Sequence, residues 1–305
     1  MNRLEGVIPI LAMPFDARGD IDLKSLDREV DFLVASGVRT IGFGFASEGF
    51  RLTAEERDAA LRAVTTRAAG RVEVMAHLTS SSVAAAVHQA GCARSLGANL
   101  LMVPAPAIVQ VSEADQFDYF QVLAGAAQLP IVVQDAPALT GTTMSVGLLA
   151  RLLTEIEGVI GLKIEHVPTA PKIAAVAAAI SGGGGILGGA GGSDFFHELE
   201  RGASGTMPGA GFPEVFVDVL RLYREGDRDG ARRLFNRYLP VLVLAQRSLD
   251  TFLWVQKEIL RRRGVLPETH MRDPSERLEP ALRTDLDSLL AELLPYERLD
   301  VGRGK

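Results

Sequence analysis

Val159-Ile-Gly-Leu-Lys-Ile-Glu165 is a nearly uninterrupted apolar run that ends in a lysine and a glutamate. A run of this kind predicts a strand of a parallel sheet, because both faces of such a strand are covered. Other short apolar runs alternate along the chain with amphipathic stretches. The eight predicted strands are Gly6–Met13, Arg39–Phe45, Val72–Leu78, Leu100–Val103, Ile131–Asp135, Val159–Glu165, Gly185–Leu187 and Gly205–Pro208.

The stretches between these strands have the pattern of helices with recognisable starts. Thr53-Ala-Glu-Glu56 has the spacing of a capping box, in which the Thr and Glu side chains satisfy each other's backbone amides at a helix N-terminus. Eight β/α units with short connections favour a (β/α)₈ TIM barrel, an α/β fold, over an open doubly wound sheet. The clearest predicted helices are Arg57–Ala69, Ser112–Gln128, Ser145–Ile156 and Ser193–Arg201.

Strand patterns stop after about Glu214, and only helical patterns follow. We therefore expect a catalytic barrel over residues 1–225 and a C-terminal helical extension, packed on the barrel, over residues 226–305. Pro240 lies inside one of the predicted helices and is expected to kink or divide it. The helices predicted in this part of the chain are Phe216–Arg224, Asp227–Arg247, Leu249–Arg263 and Ala281–Leu294.

Composition excludes several classes of function. The 305 residues are 47% hydrophobic and 23% charged, which is typical of a soluble globular protein, and the length suits one large barrel. A net charge of −6 argues against a nucleic-acid partner, which would require a basic surface. The single cysteine, Cys92, excludes a disulfide framework and a multi-cysteine metal site. No signal peptide or membrane span is recognisable, so we expect a cytoplasmic protein without a membrane partner.

One lysine stands out because lysines are scarce. Only five of the 32 basic residues are lysines, and Lys163 alone lies inside a predicted strand. Alternate side chains of a strand share a face, so Lys163 and Glu165 are expected to point into the C-terminal end of the barrel, where barrel enzymes have their active sites. By the same alternation Gly161 faces the interior, whereas Ile160, Leu162 and Ile164 face the helices.

Two interpretations of Lys163 follow from its surroundings. An amine among apolar groups loses its proton more readily, and a free amine attacks a ketone or aldehyde to give a Schiff base. Alternatively, Lys163 and Glu165 form an ion pair at a strand end that reaches solvent. The other lysines lie on predicted helices or at the terminus and are set aside: Lys24, Lys172, Lys257 and Lys305.

A series of motifs in order resembles the dihydrodipicolinate synthase/N-acetylneuraminate lyase family of Schiff-base barrels. The resemblance implies a barrel with three C-terminal helices, usually a homotetramer, in which Lys163 forms an imine with pyruvate or another 2-oxo acid. It extends from about Leu4 to Leu294 and includes Gly6-Val-Ile-Pro, Gly19-Asp-Ile-Asp22, Ser47-Glu48, Leu52-Thr53, Leu129-Pro-Ile-Val, Thr140-Gly141, Gly161-Leu-Lys163 and Gly202-Ala-Ser-Gly205.

Four departures from the family pattern argue against the synthase itself. The aldol-type loop Gly-Thr-Thr-Gly-Glu is replaced by Gly44-Phe-Ala-Ser-Glu48, although the backbone N–H groups of Ala46 and Ser47 could still hold a substrate carboxylate. Gln134-Asp-Ala-Pro137 replaces Tyr-Asn-x-Pro, so the tyrosine that relays a proton is absent. The synthase arginine that holds the second substrate is Leu139, and its Pro-Tyr-Tyr stretch corresponds to Pro104-Ala-Pro106.

The same replacements resemble a subgroup of 2-keto-3-deoxy-sugar-acid dehydratases, similar to the enzyme acting on L-2-keto-3-deoxyarabonate. That resemblance implies that Lys163 binds C2 of the substrate as an imine, with no cofactor. Glu165 would remove the C3 proton and then protonate the departing C4 hydroxyl, leaving an unsaturated product that hydrolyses to 2-oxoglutarate semialdehyde. Without the tyrosine another group must move the proton, and Glu165 lies two residues from Lys163 on the same face.

Several other residues are candidates for substrate binding. Gln134 and Asp135 end the fifth strand and could bind substrate hydroxyls, or Asp135 could only cap the following turn. Ser47 could donate to the substrate carboxylate or simply shape its loop. The glycine cluster Gly188–Asp194 could cradle a phosphate, but close approach of a substrate at Gly188 or a flexible turn is favoured. Phe252, Leu253 and Trp254 are expected to pack the extension against the barrel or another subunit.

Three classes of function therefore stay open. The favoured one is a Schiff-base lyase acting on a small 2-keto acid by dehydration, with retro-aldol cleavage or condensation with pyruvate as alternatives. A metal-dependent barrel lyase would use His77 with Asp135 and Glu165, although no short ligand motif supports a metal site and His77 is expected to pack or line a pocket. The third is a non-catalytic barrel that binds a 2-oxo acid.

Overall fold

A computed structural model describes residues 4–80, 82–107, 111–180 and 184–296. Within these ranges eight parallel strands follow one another around a single sheet, which confirms the predicted (β/α)₈ barrel. Residues 297–305, including Lys305, lie outside the described ranges. The strands are β1 Gly6–Val7, β2 Thr40–Gly42, β3 Glu73–His77, β4 Leu100–Pro104, β5 Ile131–Asp135, β6 Val159–Ile164, β7 Ile186–Gly188 and β8 Gly205–Thr206.

The ring of strands is closed at two seams. β1 pairs with β8 through Gly6 and Gly205, and a parallel bridge between Ile10 and Gly42 joins the chain after β1 to β2. The N–H of Leu11 donates to the Gly42 carbonyl at 2.9 Å across the same seam. β1 is much shorter than predicted because Pro9 has no N–H and interrupts the ladder.

Helices follow the strands as predicted and continue beyond the barrel. The Thr53 capping box is confirmed, with the Glu56 N–H donating to Thr53 Oγ1 at 3.2 Å and the Thr53 N–H donating to Glu56 Oε2 at 2.9 Å. The helices of the described ranges are α1 Leu23–Ala35, α2 Ala54–Ala68, α3 Val83–Ser95, α4 Glu113–Ala127, α5 Pro137–Thr140, α6 Val146–Glu155, α7 Thr169–Ala179, α8 Phe195–Leu199, α9 Pro213–Arg224, α10 Arg228–Ala245, α11 Leu249–Arg262 and α12 Pro280–Leu293.

The sixth strand departs from simple alternation at its start. Its register against β5 shifts between Ile131 and Val132, so that one residue of β6 is left over. As a result Ile160 packs against the apolar cluster inside the barrel, and its predicted position facing the helices is wrong. Beyond the shift, Leu162 and Ile164 belong to the core between strands and helices, as predicted.

The C-terminal helices contact the barrel at the end where the strands have their C-termini. α10 packs against α9, and α11 contacts the short helical turn Phe45–Ser47 that follows β2. Pro240 lies inside α10 without dividing it. A domain boundary between residues 225 and 226 stays a prediction, since the helices on its two sides pack together. No helix in the described part of the chain is long and apolar enough to cross a membrane.

The seam between β1 and β8 predicts a site that tolerates no side chain. A Cβ on Gly205 would overlap the backbone of Gly6, whereas a Cβ on Gly91, in α3, meets open space. We expect Gly205→Ala to lower the free energy of unfolding by about 1–3 kcal/mol through overpacking. Gly91→Ala should leave it unchanged or raise it by up to about 1 kcal/mol. Urea unfolding of the two variants checks this, and equal midpoints would contradict it.

Candidate active site

Lys163 points into the C-terminal end of the barrel, beside the carboxylate that the sequence placed on the same face. Its side chain is only 5% exposed, and its Nζ lies 3.1 Å from Glu165 Oε1. Both side chains line a cavity of about 220 Å³. The predicted ion pair between them is therefore present, but it faces this cavity rather than open solvent. The amino group of Lys163 and a carboxylate are thus held together at one cavity.

Besides Lys163, two hydrogen-bond donors contact the carboxylate of Glu165. Its Oε1 accepts the Ala190 N–H at 3.0 Å, and its Oε2 accepts the Gln134 Nε2 at 2.6 Å. Burial alone would raise the pKa of Glu165, but the charge of Lys163 and these two hydrogen bonds hold that pKa below its usual value. The carboxyl is therefore an anion at neutral pH.

The glycines after β7 make room for this carboxylate. A Cβ on Gly189 would overlap the side chain of Glu165. The next residue, Ala190, has a φ of 46° and directs its N–H to Glu165. The close approach expected at the glycine cluster is thus present next to Gly189, but the group that approaches is the protein's own carboxylate.

Gln134 joins Glu165 to His77. Its side chain is fully buried, and its Oε1 lies 3.0 Å from His77 Nε2. Burial, followed by the nearby charge of Lys163, lowers the pKa of His77 to about 4, so the ring is neutral. Gln134 does not line the Lys163 cavity, since both ends of its amide are bonded inside the protein. A direct contact of Gln134 with substrate hydroxyls stays a prediction that this geometry does not favour.

Asp135 does not share the face of Gln134, and its predicted place in the substrate pocket stays a prediction that this geometry does not favour. Consecutive residues of a strand point to opposite faces, and the Asp135 carboxylate points outward to α7. There it forms a buried ion pair with Lys172 at 2.6 Å. The sequence of α7 alone does not predict this ion pair, because the partner of Lys172 lies on a different element, β5.

Gly188 is not among the described residues that line the cavity, so its assignment to substrate binding stays a prediction that this geometry does not favour. A Cβ at this position would overlap the carboxyl group of Glu198, on α8. Burial raises the pKa of Glu198 to about 8, and the Thr169 hydroxyl donates to its Oε1 at 2.6 Å. A side chain at position 188 is therefore excluded by the buried neutral carboxyl group of Glu198, which lies between the sheet and α8, rather than by a bound ligand.

The loop after β2 supplies the opposite wall of the cavity. Ala46 lines the cavity, as does the neighbouring Phe45. The Ser47 hydroxyl donates to the Leu11 carbonyl at 2.6 Å, and the Ser47 N–H donates to the Gly44 carbonyl at 2.9 Å. Of the two roles considered for Ser47, the geometry favours the shaping of the loop. Binding of a substrate carboxylate by Ala46 and Ser47 stays a prediction.

The loop is locked by a buried charge cluster that the sequence did not reveal. Glu48 follows Ser47 with a left-handed backbone, φ 53°, which is strained for a residue with a side chain. Its carboxylate is 2.5 Å from Lys257 Nζ and 2.9 Å from Arg51 Nη1. Arg51 also pairs with Asp250 at 2.6 Å, so two residues of α11 hold this loop.

The rest of the cavity is mostly apolar. Leu139, which replaces the synthase arginine, contributes to the wall, and Phe252 comes from α11 of the extension. Gln246 and Ser248, in the turn between α10 and α11, are the neutral polar side chains among the described residues that line it. Phe252 therefore lines the Lys163 cavity in addition to packing the extension on the barrel.

The trio proposed for a metal site is not assembled. Asp135 faces away from Glu165, and His77 is bonded to Gln134. Among the residues that the structure describes, no group of three or more His, Cys, Asp or Glu side chains is arranged to hold a metal ion.

The amino-acid sequence is similar to those of known members of one protein family. The sequence model of the Dihydrodipicolinate synthetase family matches residues 3–293. The L-2-keto-3-deoxyarabonate dehydratase of Azospirillum brasilense is 32% identical over 298 residues, which is 96% of this chain and 96% of that protein. The putative 2-dehydro-3-deoxy-D-gluconate aldolase YagE of Escherichia coli K12 is 28% identical, covering 94% and 96% of the two chains.

Solved structures agree with this picture. The structure of YagE in complex with pyruvate superimposes with a TM-score of 0.86 at 26% identity, covering 95% of this chain and 98% of that one. The dihydrodipicolinate synthase of Rhodopseudomonas palustris superimposes with a TM-score of 0.87 at 28% identity, covering 96% and 100% of the two chains.

The cluster around Glu48 predicts a large effect of a remote lysine. Removing one partner of a buried ion pair typically costs 3–5 kcal/mol, and Arg51 remains beside Glu48. We therefore expect Lys257→Met to lower the free energy of unfolding by about 3 kcal/mol. Lys24→Met, at an exposed position of α1, should change it by less than about 0.5 kcal/mol. Chemical denaturation measures both, and a Lys257 variant as stable as the Lys24 variant would refute this account of the loop.

Proposed function

Because the chain belongs to the dihydrodipicolinate synthetase family of lyases, we propose that it dehydrates a 2-keto-3-deoxy sugar acid through an imine on Lys163. The observation that supports this most directly is the pair of Lys163 and Glu165, 3.1 Å apart at one cavity. A substrate similar to L-2-keto-3-deoxyarabonate is favoured by the dehydratase relative from Azospirillum brasilense.

The first step uses Lys163 as a nucleophile. Its Nζ in the free-amine form attacks the C2 ketone, and loss of water leaves a positively charged imine. Glu165 is close enough to accept the proton that the ammonium form must lose, and it returns that proton to the carbinolamine hydroxyl, which leaves as water. Arginine could not replace the lysine, because a guanidinium keeps its proton in proteins.

The second step moves a proton from C3 to the leaving hydroxyl. The positive imine withdraws electrons from C3, which is two bonds from Nζ and therefore near Glu165 Oε1. Glu165 takes the C3 proton, and the resulting enamine expels the C4 hydroxyl once Glu165 returns that proton to it as the acid. The water lost thus contains the C3 proton, and hydrolysis of the unsaturated imine restores Lys163. The lowered pKa of Glu165 suits the first half of this step, because it keeps the carboxyl ionised while the nitrogen of Lys163 is positively charged.

Dehydration is favoured over aldol chemistry by what surrounds Lys163. The end of β5 presents Gln134 where the aldol-type relatives have a tyrosine hydroxyl, and Leu139 stands where the synthase has its arginine. The group that can move a proton near Lys163 is therefore a carboxylate, which can act first as base and then as acid. Cleavage to pyruvate, as the name of YagE indicates for that relative, is the second candidate.

The cell compartment and the assembly belong to the same proposal. We propose a homotetramer, as the resemblance to the family implies, acting in the cytoplasm. The partners proposed for it are small 2-keto acids alone.

Imine formation predicts a covalent trap at one lysine. Borohydride reduction in the presence of pyruvate should add the pyruvate-derived group to Lys163, as peptide mass mapping detects. Lys163→Arg should abolish the adduct, while Lys172→Arg, at the lysine of α7 that pairs with Asp135, should retain it. An unlabelled wild-type protein, or labelling elsewhere, would refute the imine mechanism.

The role of Glu165 predicts a separation of binding from turnover. Glu165→Gln should slow dehydration of L-2-keto-3-deoxyarabonate by about 10²–10⁴-fold, the usual contribution of a positioned acid or base. Trapping of pyruvate on Lys163 should persist. Glu157→Gln, in the exposed turn before β6, serves as the matched control and should keep wild-type turnover. Turnover of the Glu165 variant at the wild-type rate would contradict the role assigned to this carboxylate.

A further inference from the structure

The amide of Gln134 is completely engaged between two other side chains. Its Nε2 donates to Glu165 Oε2 at 2.6 Å, and its Oε1 lies 3.0 Å from His77 Nε2. The side chain is fully buried near the end of β5, whereas Glu165 lies one residue beyond the end of β6. The Glu165 N–H donates to the Asp135 carbonyl at 2.9 Å, which fixes the backbone, and Gln134 restrains the carboxylate at the end of the side chain.

The chemistry of each partner sets the direction of this chain of bonds. A carboxylate can only accept hydrogen bonds, so the amide nitrogen of Gln134 must face Glu165 and its oxygen must face His77. An amide oxygen is an acceptor, so His77 Nε2 must bear a proton. The pKa of His77, lowered to about 4 by burial, keeps the ring neutral, and the other ring nitrogen is then unprotonated.

His77 is itself held in place. Its ring contacts that of Phe45 edge to face, with centroids 4.8 Å apart and planes at 74°. Phe45 belongs to the loop that lines the Lys163 cavity. The orientation of the imidazole is therefore determined by packing, and the amide of Gln134 cannot reverse without losing both hydrogen bonds.

We propose that Gln134 and His77 are positioning residues, which hold Glu165 Oε2 so that Oε1 stays directed at the nitrogen of Lys163 and the adjoining carbon of the substrate. This inference rests on the proposed function of Glu165. It reassigns Gln134 from a contact with substrate to a support of the acid–base group. It also gives His77 a role that requires no metal ion and no change in its own charge.

The electrostatics around Glu165 explain why one neutral donor matters. The charged or titratable groups near it are Lys163 on β6, His77 on β3 and Glu198 on α8. Lys163 loses its positive charge at the enamine stage, when Glu165 holds the substrate proton. From that stage until the imine re-forms, the fixed donors to the carboxyl are the Gln134 amide and the Ala190 N–H. Removing Gln134 leaves one buried oxygen without a donor, which disfavours the anion.

The test combines turnover, its pH dependence and the borohydride trap. Gln134→Leu fills a similar space but has no hydrogen-bond donor. We expect kcat for dehydration to fall about 10–100-fold, which is the typical effect of removing a hydrogen-bond partner that orients a functional side chain, as measured at metal sites. The acid limb of kcat/KM should move to higher pH, because the pKa of Glu165 rises when a donor to its anion is lost. His77→Phe, which retains the contact with Phe45, should produce the same shift to a smaller extent.

A matched variant separates positioning from stability. Val132→Ala removes a buried side chain from the same face of β5 and should lower the melting temperature while leaving the acid limb in place. Trapping of pyruvate on Lys163 should persist in all three variants, so loss of trapping in the wild type would be a failure of the proposed function instead. An unchanged acid limb and unchanged kcat in Gln134→Leu would overturn the proposal, as would an equal shift in Val132→Ala.

Discussion

The contact between Lys163 and Glu165 is the constraint around which the C-terminal end of the barrel is built. An amine and a carboxylate are removed from water together, and neither can be left there alone without a large penalty. Each neighbouring feature lowers that penalty. Alternation along β6 sets the lysine inward, the absent side chain of Gly189 admits the carboxylate, and the Ala190 N–H and the Gln134 amide satisfy its oxygens. The site therefore depends on regular strand geometry in β6 together with the irregular turn after β7.

The architecture could be predicted because it depends on repeated local signals. Apolar runs alternating with amphipathic stretches placed all eight strands, and the capping box at Thr53 placed the start of α2 within a few residues. The inward direction of Lys163 could be predicted from alternation, since the shift in register lies before it in β6. Ile160 could not be placed, because the shift depends on pairing with β5 and is invisible in β6 alone.

The parts of the site that could not be predicted are partnerships between distant segments. The direction of Asp135 is an exception, because alternation along β5 already places it on the opposite face from Gln134. Its partner Lys172, however, lies on another element. Lys172 and Lys257 are different, since each has a helical pattern that says nothing about a carboxylate on another element. Gly188 and Gly189 look alike in sequence, yet one faces Glu198 behind the sheet and the other faces Glu165 at the cavity.

The left-handed backbone at Glu48 has a consequence for whether the loop after β2 could fold in another protein. A residue with a side chain in that conformation costs about 1–3 kcal/mol, and the surrounding structure must enforce it. The enforcing groups, Lys257 and the Arg51–Asp250 pair, depend on α11, some 200 positions further along the chain. The loop is therefore not a self-contained module. In another barrel that lacks partners equivalent to Lys257 and Asp250, we expect this loop to adopt a right-handed turn at Glu48. The wall of the cavity that faces Lys163 would then be lost.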